Sequence, residues 1–378
     1  MTRPLATPPA SVLIACVRLI GDVILSTPLI GLFREAWPDA AIDVLVARGT
    51  GDFLEKDPRI RKVIYAGSGE TPGSGKGGAG YARAIFRAYD LAVSLTSNDR
   101  GTLAAAIAGR RARVGFTQGG RGIRDVWKKA VLTHAIPNQY AIHVARLSQL
   151  VGEALGLRVD RLEAKVFWDA ADAAAVSTLL HAGGVDAPYF VVHPFARWGY
   201  KYWAPERFAE ASDFVAGRYG LLPVWSASPD PAERALLRET AALCRVRPAL
   251  VEGALSLSGM TCLLSRAALY IGLDTAISHL AATTGIPMVV LYGPSIAERW
   301  SPWDNAGPVA QQCPLPRGTQ RIGNTILVQK GWDCVPCGKA GCDDRGGESR
   351  CMAEISVDEV TSAVETLLRP PGPAGSGA

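Results

Sequence analysis

The chain has 378 residues, of which 48% are hydrophobic and 20% charged, a composition typical of a globular protein with two or three domains. Forty Lys and Arg residues against 35 Asp and Glu residues give a net charge of +5, well short of the concentrated basicity of a dedicated nucleic-acid-binding protein. The longest uncharged apolar run, residues 280–297, is interrupted by glycine and proline, which excludes a transmembrane helix there. With no signal-peptide pattern and with scattered single cysteines, we expect a cytoplasmic protein without disulfides.

Short β-branched runs alternate with helical patterns through the first part of the chain. The predicted strands are residues 11–17, 42–47, 62–66, 91–95 and 112–116, followed by a longer helix over residues 138–157. This alternation predicts parallel strands joined by helices, which is an α/β doubly wound domain.

The same pattern restarts in the second part of the chain. Strands are predicted at residues 189–193, 221–226, 269–272 and 287–292. We therefore predict two Rossmann-like domains, residues 11–168 and 169–369, which face a cleft, and a disordered tail over residues 370–378. Ligands of such folds bind beyond the carboxyl ends of the strands.

In each predicted domain, one motif follows the first strand. The sequence Gly21-Asp22 places a carboxylate after the first strand, with the glycine permitting a tight turn. Asp22 could equally be the cap of the helix that follows. After the strand at residues 189–193, Arg197 and Lys201 supply cations that can hold a phosphate.

A third motif begins at the end of the strand at residues 269–272. Asp274 precedes a helix whose free N-terminal amides attract phosphate, and His279 lies within that helix. The alternatives are that Asp274 is an ordinary N-cap and that His279 is a core residue with satisfied hydrogen bonds.

In this order, the three motifs resemble those of glycosyltransferase family 9, the heptosyltransferases that transfer heptose from ADP-heptose to the lipopolysaccharide inner core. The resemblance spans residues 11–369. It implies a GT-B fold that binds the acceptor on the first domain and the nucleotide-sugar on the second. It also implies an inverting transfer that requires no metal ion or other cofactor.

The resemblance also implies roles for individual residues. Asp22 matches the family's general base, and Lys201 matches the lysine that meets the donor diphosphate. Donor binding is assigned to Arg197, Glu233, Asp274, Thr275, Ala276 and His279. Among these, Glu233 resembles an acid that contacts the nucleotide ribose.

Two residues depart from the family pattern. Phe195 and Ala276 stand where the family usually has glycine, and both add a side chain where backbone approaches phosphate or sugar. Transfer from another nucleotide-sugar is therefore an alternative, as is a catalytically silent protein that binds a nucleotide-sugar or lipid. An NAD-dependent oxidoreductase is disfavoured because the GxGxxG fingerprint is missing.

The segment between residues 110 and 129 contains seven cations and a single acid, Asp125. It is either an ordinary solvated face or a surface for a phosphorylated glycolipid acceptor at the inner membrane, which would make the protein peripheral there. The residues assigned to the acceptor are Arg18, Arg121 and Arg124.

Four cysteines lie close together near the end of the sequence. They are Cys334, Cys337, Cys342 and Cys351, with a CxxC spacing between the first two. This pattern fits a structural zinc ion or an iron-sulfur cluster, and it also fits unligated thiols or a redox pair. We expect no catalytic role for these cysteines, because inverting transfer needs no thiolate nucleophile.

Overall fold

The computed structural model describes residues 4–67, 78–119 and 123–368 of the chain. Contacts divide the chain into two compact units, one of residues 1–167 with 308–310 and the other of residues 168–307 with 311–378. The division falls one residue before the predicted boundary. The predicted tail at residues 370–378 lies outside the described residues.

The first unit is a parallel six-stranded sheet with strand order β3-β2-β1-β4-β5-β6. Its strands are β1 (Ser11–Cys16), β2 (Ala41–Ala47), β3 (Lys62–Ala66), β4 (Tyr89–Ser94), β5 (Gly109–Thr117) and β6 (His134–Pro137). Its helices are α1 (Ile20–Ile24), α2 (Thr27–Ala36), α3 (Gly78–Ile85), α4 (Asp99–Ala108), α5 (Ile123–Val131) and α6 (Leu147–Ala154). The strand order is that of a Rossmann fold, and the order reverses between β1 and β4.

The second unit is a seven-stranded sheet with strand order β12-β13-β11-β10-β7-β8-β9. Its strands are β7 (Tyr189–His193), β8 (Leu222–Ala227), β9 (Ala249–Glu252), β10 (Leu269–Leu273), β11 (Met288–Tyr292), β12 (Gln320–Ile322) and β13 (Thr325–Gln329). Its helices are α7 (Ala170–Ala182), α8 (Pro205–Tyr219), α9 (Pro231–Ala241), α10 (Leu257–Ser265), α11 (Ala276–Thr284), α12 (Ala297–Trp300), α13 (Arg350–Ala353) and α14 (Val357–Leu368). All neighbouring strands are parallel except β12 and β13, and the order reverses between β7 and β10.

Each unit has its own apolar core, as the near-continuous hydrophobic strands require. In the first unit, Leu13 and Ala92 of adjacent strands pack against the alanines of α4. In the second unit, Phe190 and Trp225 pack on the sheet together with Phe208 of α8. These buried strands hold the loops at their carboxyl ends in fixed positions, where the candidate site residues lie.

Two expectations from the sequence were wrong in detail. The helix predicted over residues 138–157 is shorter, because the Nδ1 of His143 accepts a hydrogen bond from the amide of Ala145 and starts a 3₁₀ turn just before α6. Four strands were not predicted, namely β6, β9, β12 and β13. Three of them, β6, β9 and β12, are only three or four residues long, too short for a clear hydrophobic pattern.

Candidate functional site

Asp22 lies just beyond the carboxyl end of β1, next to the point where the strand order of the first unit reverses. It is in the first turn of α1, and the N-cap of that helix is Leu19, so the interpretation of Asp22 as a cap is wrong. Gly21 also lies inside α1 rather than in a tight turn. The Nε of Arg18 donates to Oδ1 of Asp22 at 3.2 Å, and the Asp22 side chain remains 13% exposed. A carboxylate thus reaches solvent at the place where such folds bind ligands.

In the second unit, Lys201 and Asp274 form an ion pair. Lys201 ends a 3₁₀ turn that follows β7, and Asp274 directly follows β10. Because β7 and β10 are neighbours where the strand order reverses, their loops meet at one edge of the sheet. The Nζ of Lys201 donates to Oδ2 of Asp274 at 2.5 Å.

The surroundings of Asp274 keep it ionised. Burial alone raises the pKa of this carboxyl, but the charge and hydrogen bond of Lys201 lower it more, and a hydrogen bond from Ser295 adds to this. The pKa of Asp274 therefore lies below its ordinary value. The result is a fixed carboxylate and a fixed ammonium side by side, able to receive hydroxyl and phosphate groups.

Helix α11 begins immediately after Asp274. Its N-cap is Thr275, whose side chain makes no capping hydrogen bond, so the interpretation of Asp274 as the N-cap is also wrong. The Oγ of Ser278 donates to the carbonyl of Leu273 at 2.5 Å and contacts the hydroxyl of Tyr270 at 2.9 Å. These bonds hold the N-terminus of α11 against β10, so its first amides point in a fixed direction.

His279 is buried on α11, with 5% of its surface exposed. Burial lowers the pKa of His279 to about 4, against the attraction of Asp274. Its Nδ1 has no hydrogen-bond partner among the described residues, so the alternative of a satisfied core histidine is wrong. His279 therefore places a neutral imidazole with a buried, unpartnered nitrogen at this end of the helix.

Glu233 lies near the buried His193. The Oε1 of Glu233 accepts from the amide of Ser228 at 2.7 Å, and the Nδ1 of His193 lies 3.0 Å from the Oγ of Ser226. Burial lowers the pKa of His193 to about 4, although the charge of Glu233 opposes this. Glu233 and His193 are therefore a second cluster of polar side chains, near the carboxyl ends of β7 and β8.

Comparison with known proteins shows the family. The model for glycosyltransferase family 9 (heptosyltransferase) matches residues 81–316. The chain belongs to glycosyltransferase family 9. It is 28% identical over 293 residues to lipopolysaccharide heptosyltransferase 3 of Escherichia coli, a match that covers 76% of this chain and 85% of the relative.

Solved structures agree with the fold of this glycosyltransferase. A family 9 glycosyltransferase from Veillonella parvula is similar with a TM-score of 0.79 and 19% identity, over 97% of this chain and 99% of the other. The heptosyltransferase WaaC of E. coli, solved with ADP, is similar with a TM-score of 0.67 and 17% identity, over 94% and 99% of the two chains. The family 9 glycosyltransferase described here therefore has the GT-B fold class, with two Rossmann-like units.

The two departures from the family pattern differ in their positions. The side chain of Phe195 is only 2% exposed and packs in the core of the second unit, so the expectation that it adds bulk at the ligand-binding edge was wrong. Ala276 is the first residue of α11 and remains partly exposed. Arg197 is exposed and lies over the ring of Trp198 at 5.2 Å.

The basic segment of this glycosyltransferase does not form one solvated face. Lys128 is 1% exposed and pairs with Asp99 at 3.0 Å, and Arg110 pairs with Asp90 at 3.1 Å. Arg121 lies outside the described residues, as does the side chain of Arg124. In the described part of the chain, no helix combines the length and apolarity needed to cross a membrane.

The four late cysteines are not arranged as a metal site in this structure. Cys334, Cys337 and Cys342 are exposed and Cys351 is buried. Burial and then the neighbouring thiols raise the pKa of Cys351 to about 11. Within the residues that the structure describes, no three His, Cys, Asp or Glu side chains are arranged to hold a metal ion, so a zinc site finds no support in this geometry.

Sequence reasoning assigned no role to His193, Ser226 or Ser295. His193 stands next to a proline at a strand end, and Ser295 follows a Gly-Pro pair. These positions in the loops after strands are the sequence feature that could have marked both residues as site candidates. Which groups they contact depends on the pairing of β7 with β8 and β10, and a single sequence does not show this pairing.

Proposed function

We propose that this glycosyltransferase transfers heptose from ADP-heptose to the inner core of lipopolysaccharide, with inversion at the anomeric carbon. The observation that carries the proposal is the Lys201–Asp274 ion pair beside the N-terminus of α11. The name of the E. coli relative, lipopolysaccharide heptosyltransferase 3, supports the choice of sugar and acceptor.

The second unit would bind the donor. The Lys201 ammonium and the first amides of α11 would hold the diphosphate, with Thr275 and Ala276 contributing those amides and Arg197 adding an exposed cation. The Asp274 carboxylate would accept hydrogen bonds from sugar hydroxyls, and the free Nδ1 of His279 would serve the same group.

Glu233 is proposed to contact the ribose of the nucleotide. Its position at the first turn of α9, close to the end of β8, supports this role, because Rossmann-like folds commonly hold a ribose near such a strand end. The buried neutral His193 is proposed to limit the movement of this segment through Ser226.

Asp22 is proposed as the general base. It would take the proton of the acceptor hydroxyl as that oxygen forms its bond to the anomeric carbon, while the bond from this carbon to the diphosphate oxygen breaks. The leaving nucleoside diphosphate gains negative charge, which the Lys201 ammonium and the α11 amides would stabilise. These groups supply what the step requires, so the proposal assigns no step to a metal ion.

The acceptor is proposed to be a phosphorylated glycolipid at the cytoplasmic surface of the inner membrane. Support comes from Arg18, which lies beside Asp22 with its side chain 44% exposed, and from the exposed Lys129 of α5. Arg121 and Arg124 are also proposed to contact the acceptor, and this assignment rests on the sequence alone. Binding to vesicles with and without anionic lipid tests it, and equal binding to both would contradict it.

The four late cysteines are proposed to have a structural role and no catalytic one. Elemental analysis of protein purified without added metal distinguishes a metal site from reduced thiols. About one zinc or iron per chain indicates a metal site that forms by rearrangement of the loop, and metal-free protein indicates reduced thiols.

Thermal unfolding with a panel of nucleotide-sugars tests the donor. A ligand at 100 times its dissociation constant adds about 2.7 kcal/mol to the free energy of unfolding, so a donor that binds produces a measurable increase in Tm. We expect ADP-heptose to give the largest increase in Tm. A larger increase with another nucleotide-sugar would contradict the proposed donor.

A further inference from the structure

A small recess lies beside Asp22 in the first unit. It is formed where the chain leaves β1 and β4, and helix α6 closes it. The residues that line it are Cys16, Asp22, Leu25, Ser26, Leu95, Thr96, Val144, Leu147 and Ser148. The recess thus combines an apolar wall with a carboxylate, a thiol and three hydroxyl groups.

Ser148 is the unusual member of this lining. It is 1% exposed on α6, and its Oγ has no hydrogen-bond partner among the described residues. The neighbouring Ser26 differs, because its Oγ donates to the carbonyl of Val23 at 2.7 Å. A buried hydroxyl without a partner costs about 1–3 kcal/mol of stability, so a group that pairs with it is expected.

The size of the recess limits what that group can be. The space that the centre of a water molecule can occupy is about 10 Å³. This is close to the minimum of roughly 10–15 Å³ that one water molecule needs, and a buried water requires two to four polar partners. Ser148, Asp22 and Thr96 supply such partners around the same space.

We infer that Ser148 is a positioning residue that acts on Asp22 through one bound water molecule. The water accepts a hydrogen bond from the Ser148 hydroxyl and donates one to the Asp22 carboxylate. A hydrogen bond to the ionised form stabilises it, so the water keeps Asp22 deprotonated and fixes the orientation of its carboxylate. The inference rests on the proposed role of Asp22 as base.

Two other groups act on the same carboxylate. Arg18 contacts Asp22 from the loop after β1, and the thiol of Cys16 faces it from the strand. Among the described residues that line the recess, only Cys16 and Asp22 are titratable. Burial, followed by the charge of Asp22, raises the pKa of Cys16 to about 12, so its thiol stays protonated at neutral pH.

The test compares Ser148→Ala with a matched control, Ser258→Ala. Ser258 is also 1% exposed on a helix with an unpartnered Oγ, but it lies on α10 in the second unit. The acidic limb of the kcat/KM profile against pH is measured for both. We expect Ser148→Ala to shift this limb to higher pH by roughly half a unit, because Asp22 loses a hydrogen bond to its charged form. The acceptor KM is expected to stay unchanged. Ser258→Ala is expected to leave the profile unchanged.

Ser148→Cys provides a second variant of similar size with a weaker donor, and an intermediate shift is expected. A profile that is the same for Ser148→Ala and Ser258→Ala would overturn the inference. A raised acceptor KM with an unchanged profile would also overturn it, because the hydroxyl would then contact the acceptor instead.

An NMR titration of the Asp22 carboxyl carbon in wild type and Ser148→Ala needs no turnover. A higher Asp22 pKa in the variant supports the water bridge even if Asp22→Asn were to remain active and the proposed base were wrong. An equal pKa in both proteins would overturn the bridge whatever the activity shows.

Discussion

Lys201 and Asp274 neutralise each other across 2.5 Å, although one follows β7 and the other follows β10. Both side chains are mostly buried, with 18% and 10% of their surfaces exposed. A diphosphate that binds Lys201 must therefore share its ammonium with Asp274. In the proposed function, the two residues would therefore act as one unit in donor binding, and a change in either would alter both.

The first prediction concerns Asp274→Asn. This variant removes the competing charge, so bare ADP should bind as well as or better than it does to wild type. The intact nucleotide-sugar should bind more weakly by roughly 1.5–3 kcal/mol, because its hydroxyls lose a charged acceptor. Calorimetric affinities for both ligands provide the measurement.

Lys201→Gln is the companion variant for that measurement. It should weaken both ligands, since the diphosphate loses its cation in each case. Equal losses for ADP and nucleotide-sugar in Asp274→Asn would show that Asp274 does not hold the sugar.

The second prediction concerns stability at acidic pH. The pKa of His279 is about 4 in the folded protein, against 6.5 for an ordinary histidine. Between these values the unfolded chain binds more protons, so the free energy of unfolding falls as the pH is lowered from about 6.5 towards 4. His279 alone contributes a loss of about 3 kcal/mol at most.

His279→Gln should reduce this loss, whereas His181→Gln, at an exposed position in α7, should leave it unchanged. Urea unfolding at several pH values measures the difference. The same pH dependence in wild type and His279→Gln would mean that His279 is not held neutral by burial.

The third prediction concerns Phe195, the residue that replaces a usual family glycine. Since its ring packs in the core, Phe195→Ala should lower the free energy of unfolding by about 3–5 kcal/mol. The affinity of the folded variant for the donor should stay within about fivefold, which corresponds to a change below about 1 kcal/mol.

Phe86→Ala is the matched control, because this phenylalanine is 64% exposed, and it should change stability by no more than about 0.5 kcal/mol. An altered preference among nucleotide-sugars in a stable Phe195→Ala protein would contradict the position of the ring in the core.

Much of the fold could be predicted from the sequence. The strands that are buried on both sides, such as β1 and β7, appear as continuous apolar runs, and the alternation with helices indicates parallel pairing. The edge strands β9 and β12 were missed, because three or four residues carry little pattern. The early start of the predicted helix before α6 was wrong because a local contact of His143 determines where the chain turns.

The candidate site was predictable only in part. Lys201 and Asp274 could be found because each follows a strand and matches a motif. Their ion pair could not be predicted, since it depends on β7 and β10 being neighbours. The buried free nitrogen of His279 and the unpartnered hydroxyl of Ser148 also depend on packing between elements distant in sequence.

The fourth prediction concerns Asp22, which is assigned the proton transfer. Asp22→Asn should bind the donor nearly as wild type does and lose roughly 10²- to 10⁴-fold in kcat, the usual contribution of a general base. Asp39→Asn, at an exposed turn of the first unit, is the control and should retain full activity. Loss of donor affinity equal to the loss of kcat would contradict a role confined to the proton transfer.

The most direct test of the account is a transfer assay followed by mass spectrometry. Purified protein is incubated with ADP-heptose and a heptose-deficient lipopolysaccharide core acceptor, next to the same reaction with Asp22→Asn. The account predicts that wild type adds one heptose per acceptor and releases ADP, whereas Asp22→Asn forms product at least about 100 times more slowly. An unmodified acceptor with wild type, or equal rates for the two proteins, would contradict it.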